Sequence, residues 1–260
     1  ILVGAEDHGV NIVDVRDEKH AMFAADAVAR LTGVPGVVAV TAGPGVTNTV
    51  TAVKNAQMAE SPVVILGGAA ATILQGRGAL QDIDQLSLMD SLTKWCTRIT
   101  KYKSLGPSID KAFDVAQSGV PGPVFLEIPV DLLYDEDLVR DWYVDQSGVE
   151  SMSGPTGKAL EFLLKGHLTK LFKAPHLGVD VDLDFDLESV EDALPYPPKA
   201  SKQVRKAARE YDRAEKPVLV VGNQAMANIT PKRAERLAEA TETLDMPTPR
   251  GGTAQGLPGR

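Results

Sequence analysis

The chain has 260 residues, enough to bury a sizeable core in one or two domains. Its 35 acidic against 27 basic side chains leave a formal net charge of −8, so there is no basic excess to displace phosphate counterions, which excludes nucleic acid as a partner class. The single cysteine, Cys96, rules out an intrachain disulfide, and the four histidines (His8, His20, His167, His176) stand at no metal-ligand spacing with it, which argues against structural zinc.

The chain opens on Ile1-Leu2-Val3-Gly4, which reads as the end of a helix and lacks the basic start of a signal peptide. Asn11 to Val15 is expected to be a short strand, and Lys19 to Thr32 a helix ending at Gly33. Strand Gly36 to Thr41, helix Thr47 to Ala59 and strand Pro62 to Leu66 follow. Helices are expected over Asp82 to Leu92 and Ser108 to Ser118, then a strand over Val124 to Ile128 introduced by Pro121-Gly122-Pro123. This βα rhythm predicts an α/β domain with a doubly wound parallel sheet over 1–145.

From 146 to 200 the character changes to a linker or insert. Lys158 to Lys173 is a basic amphipathic helix candidate, expected to pack between domains. Val179 to Asp186 alternates apolar and acidic residues, and Leu194-Pro195-Tyr196-Pro197-Pro198 follows. The pair reads as a linker or crossing strap, and the alternation also fits an edge strand. Over 201–260, helix Ser201 to Ala214, strand Pro217 to Val221 and helix Pro231 to Leu244 open a second Rossmann-like α/β domain that stays unfinished. Both ends read as cut. No run of about 18 apolar residues is present, and the default location is cytoplasmic, with membrane association through upstream residues left open.

Two segments carry candidate chemistry. Val15-Arg16-Asp17-Glu18-Lys19 places a carboxylate at the end of one expected strand, and Thr41 to Asn48 places a glycine-rich turn at the end of the next. In an open parallel sheet these ends share the ligand-binding edge. Gly43-Pro44-Gly45-Val46-Thr47-Asn48 approaches the dinucleotide fingerprint, but Asn48 stands where the third glycine belongs. The acid expected after the next strand is also absent, because Leu66 runs into Gly67, Gly68 and alanines. Taken alone, the turn could serve only glycine dihedrals, and Glu18 could be a surface carboxylate near a helix N-terminus.

The wider spacing is more specific. Glu18, then Ala24-Ala25, Arg30 and Gly33, then Thr41, Gly43-Pro44-Gly45 and Thr47-Asn48 resembles the pyrimidine-binding domain of thiamin diphosphate enzymes in the acetolactate-synthase-like branch. The likeness continues through Ala56 to Gly67, Gly78-Ala79-Leu80-Gln81-Asp82, and Ser118-Gly119-Val120-Pro121-Gly122-Pro123 with Glu127-Ile128-Pro129-Val130-Asp131. Lys216-Pro217-Val218 with Val221-Gly222 is similar to the start of that family's central domain.

The resemblance implies a C–C lyase or ligase acting through a cofactor ylid. Glu18 would hydrogen-bond the aminopyrimidine ring, Gly43, Pro44 and Gly45 would let backbone approach its face, and Asn48 would support the turn from the helix N-terminus. Gln81 would lie near the reacting carbon. Glu18 would need partial desolvation to share a proton near neutral pH. Asp17, Phe23 and Leu80 depart from the synthases, while Asp84-Gln85 resembles the oxalyl-CoA decarboxylase and 2-hydroxyacyl-CoA lyase relatives. The expected substrate is therefore a 2-hydroxyacyl-CoA, the alternative being acetolactate synthesis from 2-oxo acids. A non-catalytic assembly module is the third reading. The family is oligomeric, so a homodimer or homotetramer is implied. Its Gly-Asp-Gly motif for diphosphate and Mg²⁺ is absent here, so no metal ligand is assigned in this chain. FAD is left open.

Overall fold

Short strands with apolar side chains on both faces call for cover on both sides; β2 and β4 receive it, while β1 leaves Val37 exposed. The computed structural model describes residues 1–149, 152, 154–173, 202–226, 229 and 231–257. The acidic alternation and proline run expected as a strap lie outside them. The chain divides into two compact units, Ile1–Gly178 and Val179–Arg260.

In the first unit, α1 (Leu2–Asp7) and α2 (Glu18–Thr32) precede β1 (Gly36–Val40). Then come α3 (Pro44–Asn48), α4 (Val50–Met58), β2 (Val63–Ala69), α5 (Gln85–Asp90) and β3 (Trp95–Arg98). The unit closes with α6 (Leu105–Gln117), β4 (Val124–Pro129), α7 (Glu136–Ser147) and α8 (Pro155–Phe172). The four strands form one parallel sheet in the order β1-β2-β4-β3. Val38 stands opposite Ile65, and Ile65 opposite Phe125.

Side-chain alternation divides the core. Val38, Val63, Ile65 and Phe125 pack against Met22, Ala25 and Ala29 of α2 and Ala52, Val53 and Ala56 of α4. Val64, Val124, Leu126 and Ile128 pack on the other side with Ala112 and Ala116 of α6 and Leu171 of α8. The doubly wound arrangement expected from the sequence is thus present.

Local chemistry sets the helix ends. Asp17 caps α2 by accepting from the Lys19 backbone N–H at 2.9 Å, and Gly33, at φ 72°, closes it. Inside α2, buried Asp26 pairs with Arg30 at 2.6 Å and accepts from Asn55 of α4 at 2.8 Å, which locks the two helices together. A Cβ at Gly36 would lie 2.0 Å from the Ala25 carbonyl oxygen, so only glycine lets β1 lie this close to α2.

A polar cluster fixes α7 and α8. Asp131 follows β4 and accepts from the Tyr143 hydroxyl at 2.6 Å, the Thr72 hydroxyl at 2.5 Å and the Thr72 N–H at 3.0 Å. With its own proton given to Asp131, the Thr72 hydroxyl is left to accept from His167 Nε2 at 2.9 Å. Burial, and then Asp131, raise the Tyr143 phenol far above its usual range. Leu164 and Leu168 of α8 pack with Val139 and Tyr143 of α7 beside this cluster. The expected basic helix therefore buries Leu164, Leu168 and Leu171 within the first unit and leaves Phe162 and Leu163 exposed.

Four expectations need correction. Residues 11–15 join no ladder of the sheet, and most are exposed, so no buried face fixes a register for them. The helix expected from Thr47 to Ala59 is two, α3 and α4, broken at Thr49, whose hydroxyl donates to the Val46 carbonyl at 2.7 Å. The helix expected over Asp82 to Leu92 shrinks to α5, capped by Asp84. β3 and α7 were not expected.

In the second unit, α9 (Lys202–Arg213) and α11 (Pro231–Thr243) appear as the periodicity suggests, while the short α10 (Asn223–Met226) was not expected. The strand expected over Pro217 to Val221 reduces to one parallel bridge, Val221 with Arg250. Leu219 and Val221 donate to the Pro247 and Pro249 carbonyls at 3.1 Å, but those prolines have no N–H to extend the ladder.

Candidate functional site

Glu18 is the first residue of α2, and its carboxylate stands over the turn that follows β1. Its Oε2 accepts from the Asn48 side-chain amide at 3.0 Å. A Cβ at Gly45 would lie 2.6 Å from the Thr41 methyl carbon and 3.6 Å from Glu18 Oε1. Beside the carboxylate the floor is therefore bare backbone. Glu18 is half-buried, and the Asn48 amide, followed by its own backbone N–H, holds its pKa below the ordinary glutamate value. The expected desolvation is a correction: in this chain the two donors outweigh burial, and Glu18 is a stable carboxylate at neutral pH.

Asn48 also sits differently from expectation. α3 is a single turn that starts at Pro44, so Asn48 is its last residue rather than a support at the helix N-terminus. It acts on the carboxylate directly.

Gly43 is the N-cap of α3, with φ 62° and ψ −111°, a backbone state in which other residues are strained. A Cβ there would meet the Cα, Cβ and carbonyl oxygen of Gln81 at 3.0 Å. Gln81 itself holds φ 63°, so two left-handed residues from separate loops lie back to back. The Gln81 side chain is exposed, as are Pro44 and the neighbouring Leu80, which is 90% accessible. The structure thus brings Glu18, Gly45 and Asn48 into one contact group and places Gly43 against Gln81. Pro44 contributes the fixed φ of the first helical position.

Sequence reasoning missed the residues under the turn. The Gly43 N–H donates to Gln85 Oε1 at 2.7 Å. Gln85 Nε2 donates to the Gly68 carbonyl at 3.0 Å and to Glu127 Oε1 at 2.8 Å. Glu127 Oε2 is paired with Arg98. Gln85 and Glu127 are each 1% exposed. One signal could have found them: an ionisable residue in the otherwise apolar strand Val124 to Pro129 must have a buried cationic or amide partner.

Chemically, the group offers an ionised acceptor beside an uncovered patch of backbone, which suits a flat polar ring with a donor at its edge. No group of three or more His, Cys, Asp or Glu side chains among the described residues is placed to hold a metal ion. No helix among them is long and apolar enough to cross a membrane.

Residues 1–88 match the family described as thiamine pyrophosphate enzyme, N-terminal TPP binding domain. Over 262 residues the chain is 47% identical to 2-hydroxyacyl-CoA lyase 2 of Danio rerio, covering 100% of this chain and 40% of the relative. It is 44% identical over 263 residues to 2-hydroxyacyl-CoA lyase 2 of Homo sapiens, covering 100% of this chain and 39% of that protein. A probable acetolactate synthase of Mycobacterium bovis is 37% identical over 131 residues, 50% of this chain and 24% of the relative. The chain thus spans about two fifths of the length of the lyase relatives it matches.

Proposed function

We propose that this chain, whose residues 1–88 match the N-terminal domain of thiamine pyrophosphate enzymes, belongs to that family, and that the whole protein is a thiamin diphosphate-dependent C–C lyase acting on a 2-hydroxyacyl-CoA. The observation that carries this reading is the contact group of Glu18, Asn48 and the bare Gly45 backbone. These residues fit the cofactor's aminopyrimidine end: a flat ring can lie on the glycine turn where a Cβ would block it, with a ring nitrogen facing the carboxylate. Thiamin diphosphate, when bound, supplies the carbon nucleophile and the electron sink.

This chain's residues then do the following. Asn48 holds the Glu18 carboxylate toward the turn. Glu18 would hold or release a proton at its carboxylate toward the ring nitrogen. Gly43, Pro44 and Gly45 form the floor. Gln81 orients the substrate from the opposing loop. The sequence contains no Gly-Asp-Gly, so we assign the metal and the diphosphate to parts of the protein outside this chain. Residues 1–145 are assigned as the pyrimidine domain, 146–200 as an insert and 201–260 as the start of a central domain.

The reading implies a second copy. α2 exposes Phe23, Val28 and Leu31, the last 85% accessible, and we assign this apolar surface to a homodimer or homotetramer contact. Acetolactate synthesis is the second reading, favoured by the likeness to the mycobacterial protein, which extends over half the chain. Offering the full-length protein a 2-hydroxyacyl-CoA and pyruvate in separate reactions separates the two, and its visible absorption decides whether FAD is carried.

The decisive measurement is proton–deuterium exchange at C2 of thiamin diphosphate bound to the full-length protein. Glu18→Gln is expected to slow exchange by at least about a hundredfold with the fold intact. Near-normal exchange in a folded Glu18→Gln variant overturns the role given to Glu18, and absence of accelerated exchange in the wild-type protein favours an assembly module.

A further inference from the structure

We infer that Gln85, braced by Glu127 and Arg98, is a positioning residue that sets the turn under the cofactor ring. The inference rests on the function proposed above and extends it to residues buried behind the site. The bond sequence runs from Gly43 after β1, through Gln85, to Gly68 of β2 and Glu127 of β4, and on to Arg98 of β3. That is the order of the strands in the sheet. The network is a strut across all four strands, ending at the turn.

The amide of Gln85 can take only one orientation. Gly68 offers a carbonyl and Glu127 a carboxylate, both acceptors, so Nε2 must face them. Gly43 offers an N–H, so Oε1 must face it. Arg98 engages Glu127 Oε2 and leaves Oε1 to accept from the amide, which fixes which way the amide points. The bond matters because Gly43 is buried and caps a one-turn helix, where its N–H has no helical acceptor. Fixing the Gly43 N–H fixes the start of α3. Asn48, at the other end of that turn of helix, carries the orientation to Glu18. Gln85 touches neither substrate nor cofactor in this scheme and acts only through the turn.

The test has two arms. In the 260-residue chain, amide hydrogen exchange at Gly43 is read by NMR, with Gln85→Leu expected to speed it at least about tenfold. In the full-length protein, Gln85→Leu is expected to weaken thiamin diphosphate binding and to slow C2 exchange by about 10- to 100-fold, the cost of a misplaced site. Gln85→Glu faces Glu127 with a second carboxylate and is expected to do the same. Glu127→Gln added to Gln85→Glu restores the donor–acceptor pair between the two side chains, though not the donor to Gly68, and is expected to recover part of the C2 exchange. A purely structural role predicts a lowered melting temperature without a change in C2 exchange. Normal Gly43 protection in Gln85→Leu, or wild-type C2 exchange in a folded Gln85 variant, overturns the inference. Should Gln85→Leu fail to fold, absence of rescue in the exchanged pair overturns it. Unchanged C2 exchange in Glu18→Gln instead strikes the role given to Glu18 in the proposed function and leaves the Gly43 arm to decide the strut.

Discussion

Glu18 and Glu127 are the same side chain in opposite settings. Glu127 lies inside β4, 1% exposed, with one oxygen on Gln85 and the other on Arg98. Glu18 stands at the rim of the β1 turn, half-exposed, with Asn48 as its side-chain partner. A buried carboxylate keeps its charge only through a cation or several donors, and the geometry that satisfies it leaves nothing for a ligand. A rim carboxylate held by one amide remains able to change its partner and its protonation. Asp131 is buried too and accepts from Thr72 and Tyr143 through Oδ2, but its Oδ1 finds no hydrogen-bond partner among the described residues, so it is less fully satisfied than Glu127.

Substitutions can break this contrast. Glu127→Ala leaves Arg98 and the Gln85 amide facing an empty site, and a loss of about 3–5 kcal/mol is expected in urea unfolding of the 260-residue chain. A loss under about 1 kcal/mol would show that Glu127 is not a structural anchor. Gly43→Ala is expected to cost about 1–3 kcal/mol, from its positive φ and its contact with the Gln81 backbone. Glu18→Gln, by contrast, is expected to stay within about 0.5 kcal/mol of wild type, since its single amide contact is at the surface.

The pH dependence sharpens the same point. Glu18 is held below its ordinary pKa by Asn48, so its small contribution is present above the unfolded-chain value and is lost as pH falls through the folded value. Asn48→Ala should move the Glu18 pKa up, as followed by carboxyl carbon NMR, and a pKa that stays put would separate Asn48 from the site. The smallest effect concerns Cys96, whose thiol is pushed up by burial and then by Asp90. Alkylation at neutral pH should be slow in the folded chain and quicken on unfolding; rapid folded-state labelling would contradict that protection.

What could be read in advance follows the range of each interaction. The Gly43-Pro44-Gly45 turn and the Asp17 cap are local, and their residue types announce them. β3 has only four residues, all half-buried, so Trp95 to Arg98 carries neither alternation nor a continuous apolar run. α7 was hidden by its polar sequence, since its anchors Val139 and Tyr143 work through contact with α8. The stretch 11–15 failed the other way, because β-branched residues promise a strand that no neighbour completes. Gln85 and Arg98 meet Glu127 across 42 and 29 residues, a distance no local pattern spans.

The contact between Gly43 and Gln81 has a consequence for redesign. With the two backbones in contact, the loop that carries Leu80 and Gln81 cannot be exchanged for one of different shape without repositioning the floor that faces Glu18. Under the function proposed above, substrate preference and cofactor seating would be mechanically linked, and a graft meant to change the first should transplant residues 41–48 together with 76–84.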